Sequence, residues 1–526
     1  MSGVKHVTFL PGPGIRPAGS GSRRSQNDQQ HKGEISKRIE KCKDSAEERL
    51  DLTDLTLNEV PSSALNLNHL TALYIYKNKL STLPPDICKL TNLICIGANE
   101  NLITSLPAEM KNLKKLEILD LRHNKLPEIP PVLFNLEGLK KLMVSYNKLT
   151  TISEDMGKMS NLKSLIMIEN KIDSLPHSIG QLKNLELLDL AKNQLTNLPE
   201  EITDCTKLTQ LVFKYNKIES LPEHMGHLVN LTRLNCRGNK ITTLPASLIA
   251  CVKLNDLILD ENQLISLPKG LLIALSQLVS IDISRNALGA IPSDGPNSFK
   301  NIKVINLEKN KINSIPYGIF SLAKNLEKLN LNDISLTNLP FDMGEWTTIV
   351  ELNLAYNKLT VLPEDIQSLR ELEILIISHN QLESLPKGIG QLKKLRTLDC
   401  DGNQLRSIPI EIGYLLELEK LNLQSNQLPG IPRQIGLLYK LTELNVSENC
   451  LRCLPEEIGH LGRLKKLCIN NNSLLNNLPV QLTMCVELNY LNIENCPLYE
   501  IPNEFVQGGP QNVLYYLTSI SPYRNQ

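Results

Sequence analysis

An asparagine returns every 23 residues along most of this chain. It stands at Asn78, Asn101, Asn124, Asn147, Asn170, Asn193, Asn216, Asn239 and Asn262, then at a spacing of 24 through Asn286 and Asn310 to Ile334. The step returns to 23 through Asn357, Asn380, Asn403, Asn426, Asn449 and Asn472, and a last step of 24 reaches Cys496. With Leu55 in the first place, this makes 20 units, 17 of them carrying Asn. A period of this length belongs to solenoids, in which each unit buries its apolar face only against its neighbours. The 526 residues therefore do not divide into three or four globular domains, as length alone would suggest.

Around each asparagine the same apolar frame recurs. Leu116 to Pro130 reads LEILDLRHNKLPEIP, Leu185 to Pro199 reads LELLDLAKNQLTNLP, and Leu395 to Pro409 reads LRTLDCDGNQLRSIP. This is a leucine-rich repeat. Its L-x-L core predicts a short strand with leucines turned inward and the intervening residues outward. The asparagine can donate and accept at once, so buried at the bend it can satisfy backbone groups left unpaired there. A proline closes the frame in all but one unit, where Ser153 stands instead, and fixes φ as the chain turns to the outer side. The expected fold is an α/β solenoid, a horseshoe of about 20 repeats with a parallel concave sheet.

Both ends need covers. In residues 33–49, Ile35, Ile39, Cys42 and Ala46 fall at helical spacing and predict an N-terminal capping helix. Residues 50–502 form the solenoid, and residues 503–526, with Phe505, Val506, Leu514 and Leu517, predict a C-terminal cap with a helix after Pro510. Residues 1–32 are rich in Gly, Pro and Ser and read as a disordered arm. The arm holds one apolar patch, KHVTFL, whose Lys5, Val7 and Phe9 have the form of a docking peptide that adds as a strand to a partner's sheet edge.

Charge and chemistry narrow the function. Fifty-six basic residues balance 56 acidic ones, which argues against a nucleic-acid binder and against a polybasic membrane anchor. No apolar run reaches about 18 residues, so direct membrane insertion is not expected. The N-terminus lacks the apolar core of a secretory signal, and the 12 cysteines are scattered, so reduced thiols in a cytoplasmic or nuclear compartment are expected. Cys205, Cys236, Cys251, Cys400 and Cys485 read as core filling. Cys450 and Cys453 form a lone C-x-x-C in repeat register, for which a structural role is expected. No phosphate loop, metal motif or nucleophile constellation is present, so catalytic residues, metal and cofactor are all expected to be none.

What remains is the outward side of the strands. Twenty strands at about 4.8 Å make an arc of roughly 95 Å, and about four outward residues per strand give roughly 1,400 Å². One partner needs roughly 800 Å², so the face has room for more than one protein. Its early part shows Tyr74, Tyr76, Lys77, Arg122, His123, Tyr146, Lys214, Tyr215 and Arg237. Asp260, Glu261, Asp282 and Glu308 follow, then Tyr356, His379, Asp399 and Asp401. Tyrosine and arginine are frequent interface anchors, and exposed aromatics in a chain with 4% aromatics call for a reason.

Several segments go beyond the generic repeat: LDLRHNKL from Leu119, IPYGIFSLAK from Ile315, WTTIVELNLAYNKLT from Trp346, LPEEIGHL from Leu454, and IENCPL followed by GGPQ and SPYR. On these, the sequence resembles the suppressor-of-Clear leucine-rich-repeat scaffolds of the Ras–RAF–MAP kinase pathway, essentially end to end. The resemblance implies a non-catalytic scaffold that binds a GTP-bound Ras-type GTPase, typically of the MRAS type, and the catalytic subunit of protein phosphatase 1, with RAF kinase as the substrate of the complex. It implies that the arm docks the phosphatase through Val7 and Phe9, led by Lys5, and that the GTPase recruits the complex to the membrane. The Lys-rich stretch that precedes the docking peptide in that family is missing here. The alternative reading is another cytosolic leucine-rich-repeat adaptor that binds small GTPases without the phosphatase.

Overall fold

The computed structural model describes residues 24–522, with side chains from residue 32 onward. The docking peptide with Lys5, Val7 and Phe9 lies outside the described residues. The chain falls into two compact units: one runs to Leu126 and includes Pro130–Leu139, and the other holds Pro127–Ile129 and the chain from Lys140.

In the first unit, four strands lie parallel and in register: β1 (Arg49–Asp51), β2 (Ala72–Tyr74), β3 (Cys95–Gly97) and β4 (Ile118–Asp120). In the second, 16 described strands continue the pattern from β5 (Lys141–Met143) to β20 (Tyr490–Asn492), each parallel to the next. Pairing is shifted by one whole repeat, so Leu234 meets Leu257 and Leu257 meets Ile281. The central residue of each strand is buried against its counterparts, and Leu119, Leu188, Leu257 and Leu398 have no exposed surface. Both units are leucine-rich-repeat solenoids.

The asparagine ladder works as a three-way stitch. Asn262 donates through Nδ2 to the carbonyls of Leu259 and Cys236, each at 3.0 Å, and its Oδ1 accepts from Ile241 N at 3.0 Å. Each residue of the ladder thus ties its own bend to the repeat before it. At Ile334 the stitch is missing; Asn357 keeps its regular bond from Leu336 N at 2.9 Å and also accepts from Ile334 N at 3.2 Å. The fully buried isoleucine fills the space with hydrocarbon instead.

The proline ladder has a second task. Pro176, Pro363 and Pro409 hold extended backbone at the N-cap of a 3₁₀ turn on the outer side. Where Ser153 replaces proline, its hydroxyl accepts from Asp155 N at 3.1 Å and caps the turn by a side chain instead. These outer elements are short: His177–Gln181, Lys387–Gln391 and their equivalents are five-residue 3₁₀ turns, and α2 (Leu271–Ala274) is the one α-helical piece among the described outer turns. Twenty-three residues leave no length for a full helix after strand, bend and proline. The expected I-G-x-L core residues sit here, with Ile179 and Leu182 fully buried.

The N-terminal helix α1 spans Arg24–Asp44, so it starts inside the segment read as an arm and ends earlier than residue 49. Its first residues contain none of the Gly and Pro of the preceding stretch, and Arg, Gln and Lys are good helix formers. Ile39 and Cys42 are buried, but Ala46 is exposed and has φ 49°. It lies beyond the helix end: Glu47 N donates to Cys42 O at 3.0 Å and Ala46 N to Lys43 O at 3.3 Å, a Schellman closure with Ala where Gly is usual. Ala46→Gly is therefore expected to raise stability by about 1 kcal/mol, read from the urea midpoint. At the other end, α3 (Asn503–Gln507) and α4 (Pro510–Ile520) follow the last repeat, and α4 buries Val513 and Leu517.

Candidate functional site on the strand faces

The face is built from the residues that flank each strand leucine, and one position per repeat stands out. The residue just before the ladder asparagine has left-handed backbone: Lys77 (φ 56°), His123 (54°), Tyr146 (58°), Tyr215 (57°), Glu261 (57°), Arg285 (53°), Tyr356 (55°) and His379 (52°) all do so. The chain must bend sharply here to turn the asparagine inward. The same N–H continues the ladder to the next repeat, as Tyr215 N does to Arg237 O at 2.7 Å and Tyr356 N to Ser378 O at 2.9 Å. A non-glycine residue in this conformation costs on the order of 1 kcal/mol. Gly238 and Gly402 take the position in two repeats, and each lies beneath a ring: a Cβ on Gly402 would meet His379 Nδ1 at 2.6 Å, and one on Gly238 would strike the Tyr215 ring.

In the first unit the expected anchors divide. Tyr74 is only 4% exposed, which corrects its reading as an outward residue. Its ring lies under the Arg49 guanidinium at 4.3 Å and over Gly97, where any larger side chain would displace it. Burial, with the Cys95 thiol beside it, pushes its hydroxyl up to about 12. Tyr76 and Lys77 are half-buried, and His123 is exposed. Arg122 grips the buried Asp120 carboxylate with two prongs, Nε to Oδ1 at 2.9 Å and a terminal nitrogen to Oδ2 at 2.7 Å.

In the second unit, Tyr146 and Tyr215 are exposed and Lys214 is half-buried. Three groups form. The Arg237 guanidinium stands 5.5 Å from the Tyr215 ring, 3.0 Å from Asp260 and 2.5 Å from Glu261. Asp282 accepts from Asn306 at 3.1 Å, and Glu308 takes Arg285 at 3.2 Å and Asn330 at 3.3 Å. Further on, the Tyr356 and His379 rings stack at 4.2 Å, His379 Nε2 is 3.6 Å from Asp401, and Asp399 accepts from Asn422 at 3.0 Å. Arg285, Asn306 and Asn330 belong to the site but were not among the expected residues. A signal for Arg285 was present, since it precedes a ladder asparagine.

Asp260 is a second correction: it is 3% exposed. Its Oδ1 is buried without a hydrogen-bond partner among the described residues. Burial, reinforced by the Asp282 charge, pushes its carboxyl up to about 6. Since the folded state holds this proton more tightly than an unfolded chain does, the group adds no penalty below about pH 4 and destabilises as pH rises through about 6. Asp260→Asn is expected to gain roughly 1 kcal/mol over the parent at pH 7.5 and nothing near pH 4, measured by urea unfolding at the two pH values.

The cysteines read as core filling are buried. Cys236 and Cys400 have thiols pushed well above their ordinary range by burial, and Cys205, Cys251 and Cys485 are pushed up to about 11 by the same cause. Cys450 and Cys453, by contrast, are exposed. Among the described residues no group of three or more potential ligands could hold a metal, and no helix is long and apolar enough to cross a membrane.

A ladder of buried asparagines behind a parallel strand face defines the class: the chain belongs to the leucine-rich-repeat family. The leucine-rich-repeat-region family matches residues 49–148, and the leucine-rich-repeat family matches 137–195, 188–241, 276–336, 347–405 and 416–474. The solved structure of the Leptospira interrogans LRR protein LIC12759 is similar, with 32% identity and a TM-score of 0.63 over 74% of this chain and 94% of that one. Among curated proteins, the chain is similar to Leucine-rich repeat protein soc-2 of Caenorhabditis elegans, 49% identical over 53 residues, which is 10% of each chain. It is also 51% identical over 53 residues to the soc-2 homolog of Drosophila pseudoobscura pseudoobscura, 10% of this chain and 8% of that one. These matches thus span about a tenth of the curated relatives or less, and the relatives bear the name of the scaffold family that the sequence resembles.

Proposed function

We propose that this chain is a non-catalytic scaffold that joins a GTP-bound Ras-type GTPase, of the MRAS type, to the catalytic subunit of protein phosphatase 1, and so promotes dephosphorylation of RAF kinases. The observation that carries the binding role is the row of left-handed residues on the strand faces. Tyr146, Tyr215, Tyr356 and His379 keep large exposed side chains where glycine would relieve the backbone. Such strain is retained where the side chain is needed. The pathway and the partners are taken from the resemblance to the suppressor-of-Clear scaffolds, with which the soc-2 names of the relatives agree. In this reading the strand faces hold both proteins, the arm tethers the phosphatase through Val7 and Phe9, and the chain is cytoplasmic, reaching the membrane through the GTPase. Tethering raises effective concentration without enlarging the main interface.

The test is affinity purification of the full chain with GTP-locked and GDP-locked Ras-type proteins, reading phosphatase recovery. GTP-dependent recovery of both partners is expected, and Val7→Ala with Phe9→Ala is expected to cut phosphatase recovery at least about tenfold while leaving the solenoid folded. GTPase capture without phosphatase would replace this reading by that of a GTPase adaptor, and capture of neither would remove it.

A further inference from the structure

On the outer side, opposite in role to the strands, two neighbouring repeats each present a pair of exposed apolar or aromatic side chains. The turn Ile410–Tyr414 and the turn Arg433–Leu437 present Tyr414 and Leu416, then Leu437 and Tyr439, at the same two repeat positions. All four are large and apolar or aromatic, and they are 50%, 44%, 51% and 50% exposed. The repeat before carries Gln391 and Lys393 at these positions, and the repeat after carries His460 and Gly462. A contiguous exposed apolar patch of this kind marks a contact surface.

Contiguity follows from the close stacking of the turns. A Cβ on Gly413 would stand 3.2 Å from Leu437 Cδ1, so Leu437 lies against the turn that presents Tyr414. Lys440 bridges back to Glu417 at 2.6 Å, which brings the Leu416 and Tyr439 segments side by side. The flanks carry opposite charge. On one side, the Lys393 ammonium sits 5.0 Å from the Tyr414 ring and hydrogen-bonds the backbone carbonyls of Gly390 and Tyr414. On the other, Glu457 packs against the turn carrying Leu437, its Cβ 2.8 Å from where a Cβ on Gly436 would be. Read along the ridge, the order is cation, apolar pair, apolar pair, anion.

That order is complementary to itself. A twofold axis between the two apolar pairs sets Tyr414 and Leu416 of one molecule on Leu437 and Tyr439 of another, and places each Lys393 opposite a Glu457. We infer that this outer ridge is a self-association surface, occupied by a second copy of the chain in an isologous contact. The patch is smaller than the roughly 800 Å² per partner of a standard interface, so the dimer is weak and concentration-dependent.

Sedimentation equilibrium of the full chain from about 1 to about 100 µM tests this, a range chosen for a small interface. The mass should rise from 59.0 kDa toward twice that value. Leu437→Glu should hold it at the monomer. Lys393→Glu and Glu457→Lys should each weaken the dimer about tenfold or more through like-charge contact, and the doubly reversed variant should regain it, because its swapped charges again face opposite signs. Leu437 and Lys393 are exposed and Glu457 is half-buried, and circular dichroism melting verifies that each variant is folded. A parent chain that stays monomeric throughout, a dimer that survives Leu437→Glu, or a folded double reversal that fails to recover would each overturn the inference.

Discussion

Asn262→Leu is expected to lower the unfolding free energy by about 3 kcal/mol. The leucine fits the space, but it leaves Ile241 N without its acceptor and takes one of two asparagine donors from the carbonyls of Cys236 and Leu259, which Asn239 and Asn286 still reach. The orphaned buried N–H costs about 1–3 kcal/mol and each lost amide-to-carbonyl bond about 1 kcal/mol, and the added hydrocarbon offsets part of the total. Ile334 shows how far neighbours can cover such a gap: the carbonyls of Leu307 and Leu331 are still reached there by Asn310 and Asn357. Since a solenoid is a sum of repeats and their interfaces, the loss should appear as an earlier, separate transition in urea rather than as a uniform shift. An unchanged denaturation curve would show that the stitch is not what ties these repeats.

Gly180→Val follows at about 3 kcal/mol. A Cβ on Gly180 would lie 2.6 Å from the Glu201 carbonyl oxygen and 2.9 Å from Glu201 Cβ. Those atoms belong to the next repeat's backbone turn, so relief requires the two turns to separate and the Ile179 and Ile202 core between them to loosen. Gly289→Ala is the matched control: nothing lies within 4 Å of its would-be Cβ, and the change should be close to neutral. A thermal melt of the two variants side by side gives the comparison.

Much of the architecture could be read from spacing alone, because a strand leucine, an inward asparagine and a capping proline each leave a fixed signature per repeat. The short outer turns were harder to read: I-G-x-L suits a 3₁₀ turn and a buried helix equally, and only the remaining chain length decides. The face was legible as a face, but not residue by residue. Tyr74 and Asp260 sit at outward positions by alternation, yet the Arg49 side chain covers one and the Arg237 side chain pairs with the other. Such coverage depends on what the adjacent repeat supplies, and alternation within one strand carries no record of it. The left-handed row did leave a trace, the glycines at 238 and 402 in a position otherwise held by residues with side chains. The outer ridge left one too, in Tyr414, Leu416, Leu437 and Tyr439 set between Gln391 and Lys393 on one side and His460 and Gly462 on the other.

The left-handed row has a consequence for how a ligand is met. Its side chains leave the backbone from a single conformational well, and the hydrogen-bond pitch of the sheet sets the interval between them within each unit. Most of the ordering entropy of an adaptable loop is therefore spent during folding, before any encounter. Exchanging one residue of the row swaps a single contact and leaves the frame alone, so such a surface can be retuned letter by letter, as type is reset in a fixed line.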